Sequence, residues 1–407
     1  VKQYILPFFL SLLTGPVSGQ QLDWLDYRGI VELQVFDNSS SKNWYTGGFA
    51  KLRYDEDSVP IQLGKAALHV DLRLTDTLWV RTLSTAYTEP KLDPNLIEAY
   101  LNYRPVPRGS FRFRAKAGAF HLPVSAENKG IAWNSLYSTT PSVINTWVGE
   151  ELRVIGTELE LAWPGRPRQS AHDFSLTAGA FGFNDGAATI IAYRGWSSHD
   201  RQTGLGDKLR LIPQFPGQIR QFNPFREIDD RVGYYLGGAW AYMQKLEVNL
   251  MHYDNRAEPT AIRNRQIAWQ TRFNHISAQL ELPHDLRLIG QYMIGDSFID
   301  NKVTGFSSDI DYQAWFVLLS RLTGAHRYSL RYEEFDVDDL DRFKATVHNS
   351  DETGNSWMLA YRYQLNKQLQ LGAEWLRIRS ARDARTVIEG ISAETEKQLL
   401  FNITYRF

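Results

Sequence analysis

Charged side chains recur at every second position along several stretches, and that spacing decides what chemistry they can do. Arg112, Arg114 and Lys116 alternate with Phe111, Phe113, Ala115 and Ala117. Residues i and i+2 of an extended strand share a face, so these three cations form one stripe. Arg73, Arg104, Arg287, Arg327 and Arg331 fall on polar faces of the same kind, as do Lys51, Arg53, Arg362 and Arg406. Glu98, Glu158 and Glu160 supply the opposite sign, with Glu32, Asp71, Glu247, Glu333 and Glu374. Facing ladders of the two signs across water set up a transverse field that orients polar solutes and screens ions. The alternative is that they only pair with one another across a wall. Cations outnumber anions on these faces, which points to a mild anion preference.

Other chemistry is thinly supported. His69 shares a face with Asp71, and His275 with Ser277. A nucleophilic centre needs nucleophile, base and orienting group together, and no third member is identifiable, so no catalytic residue is assigned. Asp336, Asp338, Asp339 and Asp341 form an acidic cluster without the glycine of an EF-hand loop. With no cysteine there is no thiolate metal site and no disulfide framework. Neither metal nor cofactor is expected.

The elements carrying these faces read as strands. Apolar residues alternate at Val31–Val35, Leu68–Leu74, Ile97–Tyr103, Phe174–Ala180, Val232–Trp240, Leu246–Leu250, Leu286–Ile294, Ile310–Leu318, Tyr328–Tyr332, Trp357–Tyr363 and Leu369–Trp375. The apolar faces carry no charge in any of these runs. A soluble sandwich keeps its core face clean too, but its strands are usually about five or six residues. These runs approach ten, the length that crosses a bilayer at a tilt. Short connections (75–76, 105–110, 243–244, 283–284, 364–367) alternate with long ones (122–149, 184–230, 296–308, 336–354, 380–395). The parity predicts about sixteen strands from Tyr45 onward, leaving residues 29–37 as an odd extra strand. A slip between Phe273 and Ile276 suggests a bulge in 265–282.

Loop 184–230 carries Arg194, Arg201, Arg210 and Arg220 among aromatic and Pro residues. It reads as a folded constriction inside a lumen or as an outer cap. Loop 122–149 sets Trp133, Tyr137 and Trp147 among hydroxyls and amides, which suits sugar stacking or the packing of an inserted loop.

The 407-residue chain has 45 basic and 46 acidic residues, which argues against a nucleic-acid partner. Aromatics reach 13%, as two interfacial belts would require. Residues 1–19, with Lys2, an apolar Tyr4–Leu13 core and Val17-Ser18-Gly19, have the layout of a secretory signal peptide. Residues 20–28 follow as an N-terminal segment, and 29–407 as the barrel.

The last ten residues, QLLFNITYRF, place Leu399, Phe401, Ile403, Tyr405 and Phe407 on one face. With the signal-like start, alternating strands and long loops, this resembles a Gram-negative outer-membrane porin. In scale it is similar to the phosphate-selective porin O and P family and its uncharacterised relatives. The similarity is architectural, and no phosphate-binding Arg or Lys of that family matches a residue here. The resemblance implies an all-β transmembrane antiparallel barrel of about sixteen strands (16–18), with short periplasmic turns and long outer loops. It implies an outer-membrane location and passive diffusion of small polar solutes or ions. A substrate-specific channel for a saccharide or an anion such as phosphate is the alternative, and a barrel hydrolase a third. Lipid, lipopolysaccharide (bridged by a divalent ion at the acidic cluster) and the barrel assembly machinery become the expected partners. Tyr405 and Phe407 become the assembly signal, and a homotrimer is admitted.

Overall fold

Each alternating run hydrogen-bonds to the run before it and the run after it, and the last closes on the first. The computed structural model describes residues 22–88, 93–107, 109–211, 220–301, 305–341 and 349–407. The signal-like stretch 1–19 lies outside them. Sixteen antiparallel strands form the closed barrel. They are β1 (Leu25–Asn38), β2 (Ile61–Arg73), β3 (Leu78–Tyr87), β4 (Asp93–Tyr103), β5 (Arg112–His121), β6 (Arg153–Trp163), β7 (His172–Gly182) and β8 (Gly233–Tyr242). The second half comprises β9 (Leu246–Asp254), β10 (Gln270–Leu282), β11 (Leu286–Asn301), β12 (Phe306–Thr323), β13 (His326–Asp339), β14 (Glu352–Gln364), β15 (Leu369–Arg382) and β16 (Ala393–Arg406). No helix among the described residues is long and apolar enough to cross a membrane.

The strand that the parity left over is the one that closes the barrel. β1 pairs with β16 from Ile30↔Arg406 to Asn38↔Gln398, so residues 29–37 belong to the sixteen. The stretch from Tyr45 does not: residues 39–60 are a loop in which Phe49, Lys51 and Leu52 are fully buried. Its alternation mimics a strand because it packs between apolar side chains and buried charge. The expected bulge in 265–282 is absent, and β10 pairs without a shift from Gln270 to Leu282. Shifts fall instead at Glu32/Leu33 and Leu83/Ser84. The second turns Ile97 inward, where it is buried, rather than out with Leu101 and Tyr103.

At one end the connections are tight. Met243 and Gln244 both take positive φ (51° and 59°), as do His284 and Asp285 (63° and 57°). In these three-residue connections the left-handed pair turns the chain back in step with the right-handed strand twist. Loops 39–60, 122–152 and 183–232 stand at the other end. The expected 296–308 loop is mostly wall, since β11 runs to Asn301 and β12 begins at Phe306. Likewise Asp336, Asp338 and Asp339 lie on β13 rather than in a loop.

The outer face carries a band of exposed Leu33, Leu176, Leu250, Leu359 and Phe401. An apolar belt of this extent around a closed barrel is a lipid-facing surface. One parity expectation is reversed: Ile310, Tyr312, Ala314, Phe316 and Leu318 of β12 point inward and are at most 1% exposed. Their partners are the inserted loops, so an apolar face need not meet lipid. Trp315, Val317 and Leu319 occupy the outward side of that strand.

Closure depends on a close approach. The Gly29 N–H donates to Phe407 O at 2.9 Å, and Phe407 N–H returns to Gly29 O at 3.2 Å. A Cβ on Gly29 would lie 2.3 Å from the Phe407 ring and 2.7 Å from Ala67 O. Gly29→Val should therefore lower the yield of heat-modifiable barrel on gels. Gly206→Ala, with nothing within 4 Å, should leave it unchanged.

Candidate permeation path

The lumen is occupied by three loops. Helix α1 (Val143–Glu151) has all nine residues buried. Ser142 caps it, its hydroxyl accepting from Asn145 N–H at 3.3 Å. Trp147 meets Trp196 (5.8 Å), Phe273 (5.8 Å) and Tyr312 (5.4 Å) edge-on, which ties loops 122–152 and 183–232 to β10 and β12. A second helix, α2 (Thr189–Arg194), is buried throughout. The inward Tyr253, Met293, Phe335, Met358 and Leu376 complete this packed half of the wall.

The wall's charges hold the loops by their backbones. Glu374 accepts from Thr139 N–H (2.6 Å) and Thr140 N–H (3.1 Å), and Glu333 from Val143 N–H (2.9 Å). Glu352 accepts from Trp196 N–H (2.9 Å), and Glu396 from Lys51 N–H (2.8 Å). Guanidiniums take the carbonyls: Arg331 donates to Thr140 O and Pro141 O, Arg362 to Ser135 O and Ser138 O, and Arg382 to Ser350 O and Ala192 O. Lys51 pairs with Glu352 and donates to Arg194 O at 2.9 Å.

A charged neck lies beside the plug. Asp200 accepts from Arg53 Nη1 at 2.8 Å and lies 3.6 Å from Lys65 Nζ. Burial pushes the Asp200 carboxyl up, but Arg53 and Lys65 outweigh it and hold it at about 2. Arg53, Arg201 and Lys65 crowd the Tyr87 ring, at 5.1, 5.0 and 5.9 Å from its centre. Next to it, burial likewise raises Glu150, while Arg194 and His199 bring it down to about 2. Below the neck, toward the short turns, opens a cavity of about 770 Å³. Arg28, Lys65, Arg81, Lys129, Arg327, Arg362 and Arg406 line it, against Glu32 and Asp200. The gap continuing past Lys65, Asn134, His199, Asp200 and Gln202 has about 10 Å³, room for a single water.

The residues singled out by spacing are distributed unevenly over this path. Arg327 lines the cavity, with its guanidinium over Tyr137. Arg287 bonds Tyr137 Oη (2.9 Å) and Glu281. Arg331 is wholly buried under loop 122–152. Arg114 pairs with Glu160 (3.2 Å) and Lys116 with Glu158 (2.7 Å), directly across β5 and β6, while Arg112 is exposed. Glu98 faces His121 (3.1 Å). Arg73 is exposed beside Asp76 near the short turns, and Arg104 is exposed there too. In loop 183–232 the part with Arg194 and Arg201 enters the lumen, whereas Arg210 and Arg220 are exposed, on and beside a short two-stranded ribbon whose Leu209 and Phe222 are buried. His69 lies 3.5 Å from Asp71, which Arg81 engages, and His275 is buried. Spacing alone passed over Arg28, Lys65, Arg81 and Lys129. Continuing the parity of His69 and Asp71 back by two steps would have found Lys65, whereas Lys129 has no periodic signal.

Known structures share this architecture. The chain aligns with the outer-membrane channel DcaP of Acinetobacter baumannii at TM-score 0.57, covering 94% of this chain and 97% of that one at 9% identity. The trimer form of OmpT, an outer membrane protein of Vibrio cholerae, aligns at 0.53 (94% and 99%, 12% identity). An anion-selective porin from Comamonas acidovorans aligns at 0.50 with the same coverage and identity. The fold is that of the outer-membrane porins. No protein-family model and no curated protein matches the chain.

Two consequences are measurable. Arg331→Met leaves Glu127 and Glu333 buried without their cation, a loss of about 3–5 kcal/mol for a broken buried pair. Loop 122–152 should undock, seen as new proteolytic cuts there and a larger single-channel conductance. Glu151 is pushed up to about 8 by burial, although Ile190 N–H and Trp147 Nε1 donate to it. Its folded value exceeds its ordinary 4.5, so its contribution to docking is full below about 4.5 and is lost as pH rises through 8. Conductance should rise with pH across that window, and Glu151→Gln should flatten the rise.

Proposed function

We propose that this protein is an outer-membrane porin through which small polar solutes and ions diffuse passively, with a mild preference for anions. The cavity lining carries the reading: seven Lys or Arg against Glu32 and Asp200. Part of this charge is compensated, since Arg28 and Arg81 engage Asp71. Arg362 and Arg406 donate only to carbonyl or amide oxygens, and Arg327 to Ser320 Oγ. Their charge stays in the lumen field. The Arg112, Arg114 and Lys116 stripe contributes less, because two of its members face carboxylates directly.

Between the two substrate-specific alternatives, the cation-rich lining favours a small anion such as phosphate over a saccharide, and either solute would have to widen the neck to pass. The belt meets lipid and lipopolysaccharide, and Tyr405 and Phe407 serve the assembly machinery. The trimer form recorded for OmpT supports a homotrimer here as well.

Zero-current potentials across a KCl gradient test the preference. The wild type should lean toward chloride at low salt, and replacing Lys129, Arg327 and Arg406 together by Gln should move the reversal potential toward potassium. At ~1 M salt the Debye length falls to ~3 Å and the lean should collapse. Cation selectivity in the wild type would overturn the reading.

A further inference from the structure

Arg53 is fixed more firmly than its bonds require. Its guanidinium carbon lies 4.8 Å from the Tyr54 ring centre and 5.1 Å from that of Tyr87. Nη1 donates to Asp200, but Nε and Nη2, both buried, have no acceptor. The residue is only 7% exposed. A buried guanidinium edge without a partner carries a desolvation penalty that an arriving anion relieves. A second buried donor, Trp44 Nε1, is also unpartnered.

Both side chains line one cavity of about 500 Å³, together with Tyr45, Val59, Leu63 and Arg201. The sheet explains why space is left there. The β2–β3 ladder begins at Ala66↔Ala86, whereas β2 pairs with β1 from Ile61 onward. Among the described residues, 61–65 therefore have a strand on one side only, and the cavity forms a notch along them. Val59, 65% exposed, and Leu63 form an apolar lip, and the guanidinium of Arg53 lies inside. The cavity's own carboxylate, Asp57, is exposed at the surface, and at the inner end Asp200 engages only the Nη1 side of Arg53.

We propose that this notch is a binding site for an amphipathic anion: a carboxylate carried on an apolar or aromatic body. The carboxylate accepts from Nε and Nη2, the side-on edge of Arg53 that suits two parallel hydrogen bonds. The body lies against Trp44, Tyr45 and Val59, as aromatic and apolar walls favour. The site rests on the porin reading only for how solute reaches it.

Equilibrium dialysis of the purified, detergent-solubilised full barrel with radiolabelled benzoate tests the site without requiring flux. Benzoate should bind saturably at one site per chain. Acetate (no body), benzyl alcohol (no charge) and inorganic phosphate should compete at least about tenfold more weakly, as the loss of one anchor implies. Arg53→Gln should weaken benzoate by a similar factor. Should that variant fail to fold, Val59→Glu decides instead, because it sets a repelling carboxylate on the exposed lip away from the plug. Non-saturating uptake, equal binding by Val59→Glu, or phosphate competing as well as benzoate would each overturn the proposal. A barrel that binds benzoate yet shows no chloride conductance would overturn the porin reading alone.

Discussion

A loop can enter a barrel only if its backbone polar groups find partners there. Each inserted residue carries an N–H and a C=O, and a lumen packed with side chains has little water to offer them. In this protein the wall supplies the partners. Carboxylates of β13, β14, β15 and β16 receive loop N–H groups, and guanidiniums of β13, β14 and β15 give hydrogen bonds to loop carbonyls. Charged side chains do this better than neutral ones, because charge-assisted hydrogen bonds are about twice as strong.

The same docking divides the lumen. Where loops press on β9 to β15, the inward face is dry: apolar side chains such as Tyr312, Phe316 and Met358 alternate with buried charges bonded to loop backbone, as at Glu333 and Arg382. Nearer the short turns on β1 to β3, beyond Ile30, Ala67 and Leu83 where Ala132 still packs, the inward face is charged and wet, as at Arg28, His69 and Arg81. The open cavity therefore lies off-centre against the first strands and the ends of the last. The neck forms where loop 183–232 brings Asp200 to Lys65 and Arg53. Its ion pairs fix width and field together, so a change in either charge alters both.

Compensation by neighbours explains why a charge's position in a stripe is a poor guide to its electrostatic effect. Arg114 and Lys116 look like the least balanced cluster in the sequence, yet Glu160 and Glu158 stand in register across the ladder. Arg362 and Arg406 look unexceptional, yet their hydrogen bonds go to neutral oxygens, and only the nearby carboxylates Glu32 and Glu374 offset their charge beside the cavity. A neutral acceptor satisfies a guanidinium's hydrogen bonds without cancelling its field.

Local sequence is enough to specify the wall. Period-two alternation specifies strands, and the uncharged face of Leu359 or Phe401 specifies lipid contact, because both are local properties of a residue and its neighbours at i±2. It also marked the loops long enough to fill a lumen and the aromatic residues, Trp147 among them, that pack there. Tertiary structure decided what the other face meets. Alternation reports that two sides differ but not what each one touches, so Ile310 to Leu318 read as lipid-facing and Lys51 as wall. Residues 29–37 were surplus until β16 arrived from the far end of the chain to pair with them. The neck, the off-centre cavity and the notch beside Arg53 all join residues distant in sequence. Only packing could set Asp200 against Arg53 and leave two donors of that guanidinium, Nε and Nη2, without a partner.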